Sequence, residues 1–129
     1  MWPKEEIPAE GTVFMRIHRT WIRDGEAMIG VFQNREGGMS VDWNEYSTAE
    51  ETRLRARRPA ENGVISMNVG AIRSIEGLLV EHDPIQENSL DAQGKAVPHN
   101  RAHTEVLGEK TEERRVKLSR IYSWEIRLV

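Results

Sequence analysis

The sequence predicts an α+β domain, a largely antiparallel sheet of about five strands with two helices packed on one side. Three observations carry that prediction. Apolar residues recur at period two in several short runs bounded by turn residues. Two other segments open on helix-capping residues. The connections between the early runs are short, which suits strands that neighbour one another in the sheet. At 129 residues the chain fits a single domain spanning 1–129.

Residues 1–10 read as a flexible lead, because Pro3, Pro8 and the charged residues suppress regular structure. From 12 to 22, Val13, Met15 and Ile17 fall on one face and Phe14, Arg16, His18 and Thr20 on the other, the signature of a strand. Asp24-Gly25 marks a turn, and 27–32 reads as the returning strand of a hairpin. A second turn, Asn34-Arg35-Glu36-Gly37-Gly38, precedes a third strand at 39–43, which completes a meander.

A helix follows. Ser47 and Thr48 are N-cap types, and Ser47-x-x-Glu50 or Thr48-x-x-Glu51 forms a capping box. Glu50 and Glu51 complement the positive end of its dipole and the arginines its negative end. Pro59 should stop it. Only Ala49, Leu54 and Ala56 are apolar, so the helix should lie on the surface with its arginine stems over neighbours.

Asn62-Gly63 is a turn before a strand at 64–69, and 70–75 reads as a short helical turn. A further strand at 77–81 delivers His82-Asp83-Pro84 at its carboxyl end. Residues 85–98 form a long polar loop, a length that in a compact domain marks function or disorder. His103 to Leu107 reads as a strand ended by Gly108. Thr111 then caps a last helix with Val116, Leu118, Ile121 and Tyr122 as its apolar stripe, and Trp124, Ile126 and Leu128 alternate in an extended tail.

Composition excludes several classes. Without cysteine there is no disulfide, thiolate zinc site or cysteine nucleophile, which suits a reducing cytoplasm. The first residues lack the apolar run of a signal peptide, and no apolar stretch reaches membrane-span length, so a soluble, cytoplasmic domain without membrane association is expected. Arg16, His18, Arg19 and Arg23 with Trp21 could grip a phosphate backbone and stack a base. The net charge of −3 argues against nucleic acid, and Trp21 is assigned to the core. Arginines at 53, 55, 57 and 58, and the basic run Arg114, Arg115, Lys117 and Arg120, read first as solvated helix faces. There is no dinucleotide fingerprint, Walker loop or nucleophile elbow.

Three of the four histidines lie between 82 and 103, in an acidic segment. His82, His99 and His103 are therefore candidate ligands for a divalent metal such as zinc. As a catalytic set, His82 and His103 would act as acid–base groups, Asp83 would orient or ligate, and Asn100 or Arg101 would hold an anionic oxygen. His99-Asn100-Arg101-Ala102-His103 lacks the glutamate of a His-Glu-x-x-His protease motif. A structural reading stands beside these: proline, aspartate and asparagine stabilise turns, and the histidines would hydrogen-bond within a rigid loop without any cofactor.

His82-Asp83-Pro84, Asn100-Arg101-Ala102-His103 and Gly108-Glu109-Lys110 resemble a set of short bacterial proteins with a His-x-Pro, Asn-x-Ala-His, Gly-x-Lys pattern before a closing basic helix. The similar region covers 80–120. The chain departs from it by a long insertion between Pro84 and Asn100 and by Arg101 where proline is common. The resemblance implies a shared loop architecture and no particular reaction.

Two functional readings follow. One is a non-enzymatic binding or accessory module meeting another protein, or a second copy of itself, through the 82–103 loop and basic helices, with Arg101, Arg16 and His18 as binding residues. The alternative is a small, metal-assisted hydrolytic enzyme built on His82, Asp83 and His103.

Overall fold

The strand at Thr12–His18, whose alternating sequence gives it one apolar face, pairs along its length with the strand at Asn62–Asn68 and at its start with that at Met39–Trp43 in the large sheet. In this computed structural model, residues 1–35 and 37–128 are described. Along the chain run β1 (Thr12–His18), a small hairpin of β2 (Ile22–Arg23) and β3 (Glu26–Ala27), β4 (Met39–Trp43) and α1 (Ala49–Leu54). Then come β5 (Asn62–Asn68), α2 (Val69–Arg73), β6 (Leu79–His82), β7 (His103–Leu107), α3 (Glu112–Leu118) and β8 (Tyr122–Ile126). The large sheet has the order β6-β7-β4-β1-β5-β8, with every pairing antiparallel. The fold is α+β.

One face of the sheet is the core. Val13, Met15 and Ile17 of β1 meet Met39 and Val41 of β4, Ile65 and Met67 of β5, Val80 of β6 and Val106 of β7. Val69 and Ile72 from α2, Leu118 from α3 and the buried Phe32 close that layer. α1 lies across the other face, where the Arg16 Nη1 donates to the Thr52 carbonyl at 3.0 Å and Arg55 Nη1 to Asp42 Oδ2 at 2.8 Å. This second face is polar because alternation in β1, β4 and β7 directs Arg16, Ser40, Asp42, His103 and Glu105 to it.

The meander is corrected. Asp24 (φ 52°) and Gly25 (φ 78°) do make a two-residue hairpin turn, but only Glu26 and Ala27 pair back. The rest of 27–32 is a 3-10 turn at Ile29–Val31 that packs under Trp21 and drops Val31 and Phe32 into the core. Gly30 allows it, since a Cβ there would lie 2.9 Å from the Trp21 ring. β1 itself stops at His18, whose Nδ1 accepts the Thr20 N–H and starts another 3-10 turn. The neighbours of β1 are therefore β4 and β5. The alternating tail supplies an added edge strand, β8, on β5.

The capping box forms as the sequence predicts: Thr48 Oγ1 accepts from Glu51 N–H and Glu51 Oε1 from Thr48 N–H. The helix ends at Leu54, short of Pro59, which opens a 3-10 turn of its own. Val69 begins α2 rather than ending a strand, because Asn68 Oδ1 caps the Ala71 N–H. Residues 1–10 hold no helix or strand, yet they are fastened: Trp2 exchanges two hydrogen bonds with the Gln86 side chain, and Ile7 is buried with its carbonyl accepting from Arg73. The 85–98 loop is held by bridges at Ile85↔Asn100 and Leu90↔Ala96.

Candidate functional site

His82 ends β6 on its buried side, and its ring is enclosed by Trp43 and Tyr46 at centroid distances of 5.2 and 5.9 Å. Nδ1 accepts the Glu5 backbone N–H at 3.0 Å. A backbone amide can only donate, so the proton sits on Nε2, which donates to the Arg101 carbonyl at 2.7 Å. Both nitrogens of a neutral imidazole are thereby spent on backbone. Neither nitrogen is left facing the groove on the polar sheet face.

The remaining histidines also separate. His99 is exposed and tilts against the Trp2 ring, centroids 5.7 Å apart. His18 lies between the Thr20 backbone and Glu61, whose carboxylate it meets at 3.1 Å. His103 points onto the polar sheet face from β7. Its Nδ1 donates to the Asp83 carbonyl at 2.8 Å, and Nε2 faces Glu105 Oε1 at 3.2 Å and Ser40 Oγ at 3.3 Å. Burial pulls the His103 imidazole down, but the Glu105 hydrogen bond, the Asp83 carbonyl and the charges of Glu105 and Asp42 outweigh it, so the net direction is up. Among the described residues the cation-capable group is Asp83, His103 and Glu105, with one ligand atom from each lying within 4.8 Å of the others.

The other predicted site residues are brackets. Asn100, buried, donates from Nδ2 to Asp42 Oδ1 at 2.8 Å and accepts the Ala102 N–H at Oδ1, fixing the return of the loop onto β4. Asp42 is also buried, with its second oxygen on Arg55. The Arg101 guanidinium stacks over the Tyr46 ring at 4.1 Å and donates to its hydroxyl, which in turn donates to Glu5. That Glu5 hydrogen bond is the main reason the Tyr46 phenol is shifted up. The Asn100 side chain is spent on Asp42 and Ala102, and Arg101 Nε is buried without a hydrogen-bond partner among the described residues.

Sequence reasoning missed Glu105, Ser40 and Asp42. The first two carried a signal: alternation in β7 puts Glu105 on the His103 face, and alternation in β4 selects Ser40. It also missed Lys110, the last residue of Gly108-Glu109-Lys110. Its buried ammonium donates to Asn34 Oδ1, Val106 O and Gly108 O, and burial pushes it down to about 8.

Over these residues lies an open groove of about 830 Å³. Phe14, Arg16, Ser40, Asp42, His103 and Glu105 contribute to its floor, with α1 on one bank and the end of the 85–100 loop on the other. Ser40 beside His103 has the outline of a hydroxyl–imidazole pair. The Glu105 carboxylate, 3.5 Å from Ser40 Oγ, puts negative charge where an acyl-transfer site needs donors for a developing oxyanion. No family model, curated protein or solved structure matches the chain. Among the described residues no helix is long and apolar enough to cross a membrane.

Proposed function

We propose that this chain is a non-enzymatic binding module that takes an extended segment of a partner protein into the groove on the polar face of its sheet. The groove itself carries the reading. Its floor is mixed in character, and its banks add apolar side chains, namely Leu54 from α1 and Ile85, Val97 and Pro98 from the loop. Leu54 is 58% exposed, an apolar residue held open at the rim. Small-molecule sites enclose most of their ligand, whereas a polypeptide can lie in an open trough with alternate side chains in contact. Of the histidines that suggested hydrolysis, His82 is spent on backbone and His99 lies against the Trp2 ring, so neither joins His103 in its cluster with Asp83 and Glu105, which favours binding over catalysis.

A displayed library of short random peptides tests this. Enriched peptides should bind the wild-type protein and lose about tenfold or more in affinity on Leu54→Asp or Phe14→Ala, roughly 1.4 kcal/mol. Leu79→Asp, at an exposed leucine on edge strand β6 away from the groove, should leave binding unchanged. Failure to enrich any peptide, or peptides indifferent to Leu54 and Phe14, would refute it.

A further inference from the structure

We infer that the polar sheet face holds a site for one divalent transition ion, zinc being the probe of choice, ligated by His103, Glu105 and Asp83. This goes beyond the groove reading and stands whatever the groove receives.

Placement comes first. His103 and Glu105 are two apart on β7 and share a face. Asp83 is drawn to them because its backbone N–H donates to the His103 carbonyl at 2.9 Å, continuing the β6–β7 ladder past its last paired residues. The His103 ring is pre-oriented: Nδ1–H is on the Asp83 carbonyl, and Nε2, the nitrogen that faces Glu105 and Ser40, would release its proton to take the ion. A carbonyl on the far nitrogen is the usual support of a metal-bound imidazole. Two atoms each about 2.1 Å from a common ion stand roughly 3.0–3.4 Å apart. The Nε2 contacts of 3.2 and 3.3 Å fall in that span.

Charge supplies an independent indication. Glu105 Oε2 is buried without a hydrogen-bond partner among the described residues. Glu105 also stands directly opposite Glu81 in the β6–β7 register, a like-charge pairing that costs stability in a sheet. An unpartnered buried carboxylate oxygen is costly as well. One cation held by Glu105 Oε1 would neutralise the carboxylate and so offset the like-charge pairing with Glu81. Gly38 makes room for the carboxylate, since a Cβ there would come within 2.3 Å of Oε2. The nearby ammonium of Lys4 reaches only Asp83, at 3.6 Å in an exposed pair that is easily given up. Lys110 is spent on its three acceptors.

The donor set selects the ion. An imidazole nitrogen with carboxylate oxygens suits zinc and its first-row neighbours, while magnesium and calcium favour all-oxygen shells. The Ser40 hydroxyl or water would fill the remaining position.

The test uses the full chain with His18→Gln and His99→Gln, so that exposed imidazoles contribute nothing. Calorimetric titration of chelator-stripped protein with zinc chloride should give one ion per chain. Glu105→Gln and His103→Gln should each weaken binding about tenfold or more. Because His103→Gln could unfold the protein, nitrogen-15 spectra of the imidazoles give a second readout: zinc should move the His103 Nε2 resonance and leave both His82 nitrogens in place. Absence of zinc binding, undiminished binding in Glu105→Gln, or a shift at His82 instead of His103 would each overturn the site.

Discussion

An imidazole with both nitrogens on backbone acts as a clamp between segments far apart in sequence. His82 joins Glu5 in the lead to Arg101 at the end of the loop, beneath the Trp43 and Tyr46 rings. Removing it leaves a buried carbonyl and an amide without partners, at about 1–3 kcal/mol each, and opens a cavity beside two aromatics. His82→Ala should therefore cost about 3–5 kcal/mol in urea unfolding, and the Glu5 amide should lose its protection from hydrogen exchange. A variant within about 0.5 kcal/mol of wild type would show that the ring is not a clamp. Asn100 works by the same logic through side-chain bonds to Asp42 and Ala102. His82 and Asn100 are thus architectural, and the groove floor is carried by His103 with plainer residues such as Ser40 and Glu105.

Among the elements, the β7–α3 corner ties local chemistry most tightly to chain direction. Gly108 turns at φ 112°, and a Cβ there would lie 2.1 Å from the Gly77 carbonyl, so only glycine fits. Lys110 then folds back to satisfy Val106 O, Gly108 O and Asn34 Oδ1. Its pKa falls from 10.5 to about 8 through burial. Between those values the unfolded chain binds more protons than the folded one, so stability should rise with pH from about 8 towards 10.5. Lys110→Met should lose that rise and cost about 1–3 kcal/mol at neutral pH through its abandoned acceptors. Unfolding curves of both proteins across the alkaline range check it; parallel curves would contradict the assignment. Some elements governed by local rules were legible in the sequence, although Asn62-Gly63, read as a turn, opens β5 instead. The α1 capping box and the Asp24-Gly25 turn depend on a few adjacent residues. The 27–32 segment was not legible, because Trp21 above Gly30 and the pull of Phe32 into the core override a run that alternates weakly.

At the scale of the molecule, strand order departs from chain order: β1, the first strand, sits between β4 and β5, and β6 lies at the far edge beside β7. Period-two patterns identify strands but carry no information about which strands pair, so the alternation was legible and the order was not. The site followed the same limit. His103 could be named from the sequence and Glu105 follows from alternation within β7, while their neighbour Ser40 depends on the β4–β7 register, Ser40↔Glu105 and Asp42↔His103. The same topology gives the first residues a role that their composition does not advertise. The lead crosses β6 and α2 before entering β1: Ile7 is 2% exposed, its carbonyl takes Arg73 Nη1 at 2.6 Å, and the other end of that guanidinium holds the Val80 carbonyl at the sheet edge. Arg73 thus ties the lead to the outer edge of β6. Deleting residues 1–7 should remove about 2–3 kcal/mol of apolar burial at Ile7 and release His82 Nδ1 and Arg73 from their partners. The expected loss is about 4–6 kcal/mol, near the whole stability of many small domains. Ile7→Ala, which keeps the backbone bonds, should cost about 2–4 kcal/mol. Chemical unfolding of the three proteins side by side decides whether the lead is structural: equal midpoints for full-length and truncated chains would make it dispensable, and a graded loss would make it part of the fold.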